Sequence, residues 1–205
     1  MHVLLLNGSP NADGCTFTAL SEIAATLKTE NITSEIFQLG KKPVRGCVAC
    51  GACQERGECA FQDDAMSALV DAAKRADGIV IGSPVYYAGP NGALCALLDR
   101  FFFSSGNLLK FKPGAAVVSC RRGGASAAFD RLNKYFTINQ MPVASSQYWN
   151  SVHGFTPDDV RKDAEGLQTM RTLAHNLARM LRMEAVTPQR TDEEEHLWTS
   201  FHDGK

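Results

Sequence analysis

Two nucleotide signatures are missing from the place where they would stand. The loop after the first hydrophobic run holds no lysine, so it fails GxxxxGK(S/T), which cradles a nucleoside triphosphate. It also fails GxGxxG, the pattern for a dinucleotide pyrophosphate. Neither HExxH nor a Ser–His–Asp set at useful spacing occurs, which removes zinc-peptidase and acyl-transfer readings. There is no surplus of either charge: 21 basic and 22 acidic residues leave a formal charge of −1. That balance excludes the basic stripe of a nucleic-acid binder and the acidic surface of a carrier that docks by charge alone. No apolar run approaches the ~20 residues that cross a bilayer. The first strand begins almost at Met1, so no leader is expected and the location is expected to be cytoplasmic. Repeats and low-complexity tracts are absent. Cysteine, by contrast, is plentiful. Seven of them, an odd number, favour reduced thiols, metal ligands or redox chemistry over a disulfide framework.

Apolar runs alternate with stretches of helical period. Residues 3–6 predict a strand, and Phe17, Leu20, Ile23, Ala24 and Leu27 then recur at helical spacing. Residues 34–39 are more polar, as an edge strand would be, and 41–63 break the rhythm with glycine and cysteine. Asp63 or Asp64 suits the N-cap of a helix through Met66, Leu69, Val70 and Ala73. The apolar run 78–82 has the character of a central parallel strand. Helices over 92–103 and 127–136 alternate with strands over 115–119 and 143–147. A long helix over 158–183 lines up Leu167, Met170, Ala174, Leu177 and Leu181. The pattern predicts an α/β, flavodoxin-like, doubly wound five-stranded parallel sheet of order 2-1-3-4-5. It forms one domain over 1–183, with 41–63 as an insertion and 184–205 as a tail. In the tail, Asp192, Glu193, Glu194 and Glu195 read as a solvated face, whereas Trp198 and Phe201 suggest packing against something such as another subunit.

On such a sheet, ligands bind beyond the carboxyl ends of the strands. Three loops fall there. In the first, GSPNADGCTFT, the hydroxyls of Ser9, Thr16 and Thr18 join backbone donors at a helix start. That set suits one phosphate monoester, and FMN is the obvious one. In the second, SPVYYAGPNGAL, Pro84, Val85 and Tyr86 offer a wall for a flat ring, while Gly89 and Gly92 permit close backbone approach. The third, Ser119-Cys120-Arg121-Arg122-Gly123-Gly124, sets arginines where they can neutralise a reduced flavin or hold a pyridine-nucleotide phosphate. Each loop alone is also explained as an ordinary turn or as solvated surface. The coincidence of three is the specific signal.

These motifs, with SQYWNSVHGFTPDDVRKDAEGLQTMRTLAHNLARML, resemble the NAD(P)H-dependent FMN reductase branch of the flavodoxin superfamily over residues 1 to about 183. The resemblance implies noncovalent FMN, reduction by NAD(P)H, and a homodimer or homotetramer. It implies that Ser9, Asn11, Gly14, Cys15 and Thr16 hold the phosphate, and that Pro84, Val85, Tyr86, Tyr87 and Gly89 line the ring and ribityl chain. Ser119, Arg121 and Gly123 fall on the far side of the ring. The expected acceptor is a quinone, a nitro or azo compound, a flavin or a protein. No residue need act as a general base, because the flavin carries the chemistry. His153, His175, His196 and His202 therefore read as surface or packing, with His153 alone near the active edge.

Cys47, Cys50, Cys53 and Cys59 give C-x2-C-x2-C-x5-C. Thiolates at every third residue can wrap a [4Fe–4S] cube, whereas zinc more often takes two separated pairs. The spacing and its place after the second strand resemble iron–sulfur flavoproteins. Ala60 stands where bacterial ferredoxins have proline, and unligated thiols are the simpler account. Two alternatives to the reductase thus stay open: an iron–sulfur electron relay, and a flavin-binding scaffold without turnover. Cys95 reads as a core residue of its helix.

Overall fold

In a parallel strand buried on both faces, successive side chains must each find an apolar partner. Strand β1 (His2–Asn7) meets that demand, since Val3, Leu4, Leu5 and Leu6 are all fully buried. Each such leucine contributes about 1.5–3 kcal/mol relative to exposure. The computed structural model describes residues 1–62, 65–187, 194, 195 and 197. The Asp63 and Asp64 caps, His196, His202 and the tail aromatics Trp198 and Phe201 lie outside the described residues.

Val3 and Leu5 face helix α1 (Cys15–Thr29), and the same core takes in Met170, Leu177 and Leu181 of the last helix. Leu4 and Leu6 face the other layer. That layer is built from α3 (Met66–Arg75), α4 (Gly92–Ser105) and α5 (Ala125–Ile138). The remaining strands are β2 (Thr33–Gln38), β3 (Gly78–Tyr86), β5 (Gly114–Cys120) and β6 (Ser151–His153). Their order is β2-β1-β3-β5-β6, all parallel, which is the expected doubly wound topology. A two-residue strand, β4 (Gly89–Pro90), folds back antiparallel on the end of β3 and lies off this path.

Three boundaries differ from expectation. β3 continues past Gly82 to Tyr86 because the hairpin with β4 keeps it extended. The last parallel strand is not 143–147. Val143 makes only an isolated bridge to Gly114, and the chain then leaves the sheet until Ser151. The buried Asn150 fills the gap, its side-chain Nδ2 donating to the Ala116 carbonyl at 3.0 Å while its own carbonyl accepts from Val118 N at 3.0 Å. The long last helix is two. α6 (Pro157–Lys162) opens with a Thr156–Asp159 capping box, and α7 (Ala164–Val186) restarts at Asp163, whose Oδ1 accepts from Gly166 N at 2.9 Å.

Candidate functional site

The switch point of this sheet lies between β1 and β3, and the loops beyond their carboxyl ends are tied together by side-chain amides. Asn7 Oδ1 accepts from Ser9 N at 3.1 Å, and Asn7 Nδ2 donates to Gln38 Oε1 at 2.5 Å. Gln38 Nε2 in turn donates to the Ser9 carbonyl at 2.6 Å. Asn91 joins the first loop to the second: its Nδ2 donates to the Gly8 carbonyl at 2.7 Å and its Oδ1 caps α4 through Ala93 N at 3.1 Å. Its own N–H donates to Ser83 Oγ at 2.9 Å. No role was expected for Asn7, Gln38 or Asn91. The signal for Asn91 was its place one residue before a helix start.

Helix α1 begins after Gly14, which is extended and offers no side-chain cap, and its first turn holds no acid. A Cβ on Gly14 would stand 3.2 Å from Asn11 Cβ, so the cradle stays open because a glycine is there. Ser9 Oγ accepts from Asn11 N at 3.1 Å and shapes the loop. The uncapped first-turn N–H groups fit a phosphate. Thr16 lies in that first turn. Its hydroxyl shares a 2.8 Å hydrogen bond with Ser119, both residues being buried, so the pair ties α1 to β5.

In the second loop Pro84 and Val85 are half-buried, and Tyr86 and Tyr87 are exposed. Tyr87 (φ 49°) and Ala88 (φ 59°) form the left-handed hairpin tip before Gly89. This tip rests on the third loop: a Cβ on Gly124, itself at φ 86°, would lie 2.7 Å from Ala88 Cα. Arg121, Arg122 and Gly123 are exposed beside it. Burial pushes the Cys15 and Cys120 thiols up, which keeps both protonated at neutral pH. His153 is held by Asp163, whose Oδ2 accepts from its backbone N at 2.6 Å and lies 3.6 Å from its ring.

The cysteine excursion lies elsewhere. Cys47, Cys50, Cys53 and Cys59 line one shallow hollow together with Phe61, Arg100 and Phe103. Left-handed Ala49 (φ 53°), Gly51 (φ 72°) and Gly57 (φ 70°) bend the loop around the short helix α2 (Ala52–Arg56). Among the described residues no three ligating side chains converge on a single ion. Four thiols lining one hollow, three of them at every third residue, are the donor set that a [4Fe–4S] cube takes. From Asn91 to Phe103 helix α4 runs about 18 Å at 1.5 Å per residue, which separates this hollow from the three loops. A larger recess lined by Met1, Asp77, Phe111, Lys112 and Met141 lies at the amino ends of the strands, away from both.

A family model described as NADPH-dependent FMN reductase matches residues 1–156. An iron–sulfur flavoprotein of Methanocaldococcus jannaschii is 31% identical over 191 residues, covering 89% of this chain and 98% of that protein. Among solved structures, RosB with bound 8-demethyl-8-formylriboflavin-5'-phosphate superposes with a TM-score of 0.74 at 14% identity, over 98% of this chain and 92% of that one. The NAD(P)H:(acceptor) oxidoreductase FerB from Paracoccus denitrificans gives 0.66 at 16% identity, over 89% and 97%. At such identities the two structures speak for the fold alone. No helix among the described residues is long and apolar enough to cross a membrane.

Proposed function

The chain belongs to the NADPH-dependent FMN reductase family, and from that premise we propose that it takes hydride from NAD(P)H and passes electrons to a quinone, a nitro or azo compound, a flavin or a protein acceptor. FMN, when bound, supplies the two-electron chemistry of both half-reactions. The observation that carries the reading is the meeting of three loops at the switch point around an uncapped helix start. Ser9, Asn11, Gly14, Cys15 and Thr16 hold the phosphate through loop and first-turn N–H groups, where the helix dipole favours negative charge. The Thr16–Ser119 hydroxyl bond ties that loop to β5, and Ser119 stands with Arg121 and Gly123 on the far side of the ring. Pro84, Val85 and Tyr86 form the wall of the ring site, with Tyr87 and Gly89 at its rim. Arg121 brings a cation to the edge where negative charge accumulates, and Gly123 leaves room beside it.

Cys47, Cys50, Cys53 and Cys59 would hold a [4Fe–4S] cluster, which supplies one-electron steps when bound. Their common hollow supports this, as does the name of the archaeal relative. A homodimer or homotetramer is part of the proposal, supported by the exposure of Tyr87, Tyr148 and Trp149. Anaerobic assay of purified protein tests the reading: NADPH oxidation should require FMN and an acceptor, and iron should approach four per chain. Bound FMN without turnover across quinone, nitro, azo and flavin acceptors would defeat the reductase. Absence of iron after anaerobic purification would remove the cluster and leave the reductase standing.

A further inference from the structure

We propose that Arg100 raises the reduction potential of the four-cysteine centre by donating a hydrogen bond from its Nε–H to Cys59 Sγ. The inference rests on the cluster reading above. Arg100 stands on α4 between Leu97, Leu98, Phe101 and Phe102, where the core-facing stripe calls for an apolar side chain, yet it is only 2% exposed. Its guanidinium is fixed at three nitrogens. Nε lies 3.4 Å from Cys59 Sγ, Nη1 donates to the Arg45 carbonyl at 3.0 Å, and Nη2 donates to the Phe61 carbonyl at 2.5 Å.

The two carbonyls flank the cysteine run on either side. The fork therefore pins both ends of the loop, and the pinning aims the remaining N–H at one particular sulfur. That sulfur differs from the others: Cys59 is buried, whereas Cys47 and Cys50 are exposed. A hydrogen bond there is shielded from competing water. Only arginine presents such donors as a rigid plane.

The chemistry follows from charge. One-electron reduction of the oxidised cube, by reduced flavin or dithionite, adds one negative charge shared between iron and sulfur, and no proton moves. An N–H donor to a ligand sulfur stabilises the more negative state more, so the potential rises.

The test uses anaerobically purified, iron-loaded protein titrated with dithionite and followed by EPR. Arg100→Gln and Arg100→Lys should each lower the reduction equilibrium constant about tenfold, about 59 mV for a one-electron couple. Lysine keeps the charge but puts a methylene where Nε stands. Unchanged potentials in both variants would overturn the proposal. A drop in the glutamine variant alone would assign the effect to charge and overturn the hydrogen bond.

Because Arg100 also pins the loop, a second measurement needs no variant. Pulsed EPR of the reduced wild-type protein carrying 15N-labelled arginine should show a nitrogen coupling from Nε, and its absence would overturn the proposal even if both variants lost their iron. Wild-type protein without iron would fail differently, by removing the cluster reading itself.

Discussion

Replacing Asn91 by alanine removes one amide but disturbs two loops. The buried Gly8 carbonyl loses its donor, and α4 loses its cap at Ala93 N. An unsatisfied buried carbonyl costs about 1–3 kcal/mol, and part of that cost falls on the FMN site because Gly8 opens the phosphate loop. Asn91→Ala should weaken FMN binding by about tenfold, equivalent to ~1.4 kcal/mol, as read by flavin fluorescence titration. An unchanged dissociation constant would show that the two loops hold their positions independently. The place of Asn91, one residue before a helix start, was legible although no role was drawn from it. The Thr16–Ser119 pair was not. Its partners lie 103 residues apart, and hydroxyls in a glycine-rich loop read as ligands before they read as braces.

At the scale of elements, the two ends of α4 serve different sites, and their chemistry should separate. Cys47→Ser, Cys50→Ser and Cys53→Ser should each reduce iron per chain to near zero while flavin content stays at the wild-type level. Loss of flavin along with iron would contradict the separation. A second element-level contact joins α1 to α7. The Arg182 guanidinium, and after it the His175 ring, hydrogen-bonds Glu30 at 2.6 Å each and holds its carboxyl below the usual range. A lowered carboxyl pKa adds stability above the unfolded value, and that stability is lost as pH falls through the folded one. The difference in Tm between wild type and Glu30→Gln should therefore be present at neutral pH and fade below the ordinary glutamate pKa of 4.5. A difference that persists in acid would mean that the pair contributes through packing instead. Most elements were legible because apolar period follows burial. The fifth parallel strand was not, since Asn150 replaces a stretch of backbone ladder with a side-chain amide. Nor was the break at Asp163, a polar residue that in sequence continues a helix and in space caps one.

Taken whole, the molecule is a flavin oxidoreductase built on a parallel sheet, with a cysteine loop laid over the outer face of α4. Alternating apolar runs gave away the sheet, and sequence order alone sets the three loops at its carboxyl edge. The approximate 18 Å along α4 between those loops and the cysteine hollow had no sequence signal. It arises because the loop leaves β2 at that edge yet packs against the last turns of α4.

The central claim is tested most directly by the absorption spectrum of anaerobically purified protein, recorded before and after NADPH is added. The account predicts flavin bands that bleach on addition, above a broad brown shoulder from the cluster. Bound flavin that stays oxidised in excess NADPH and NADH would contradict it.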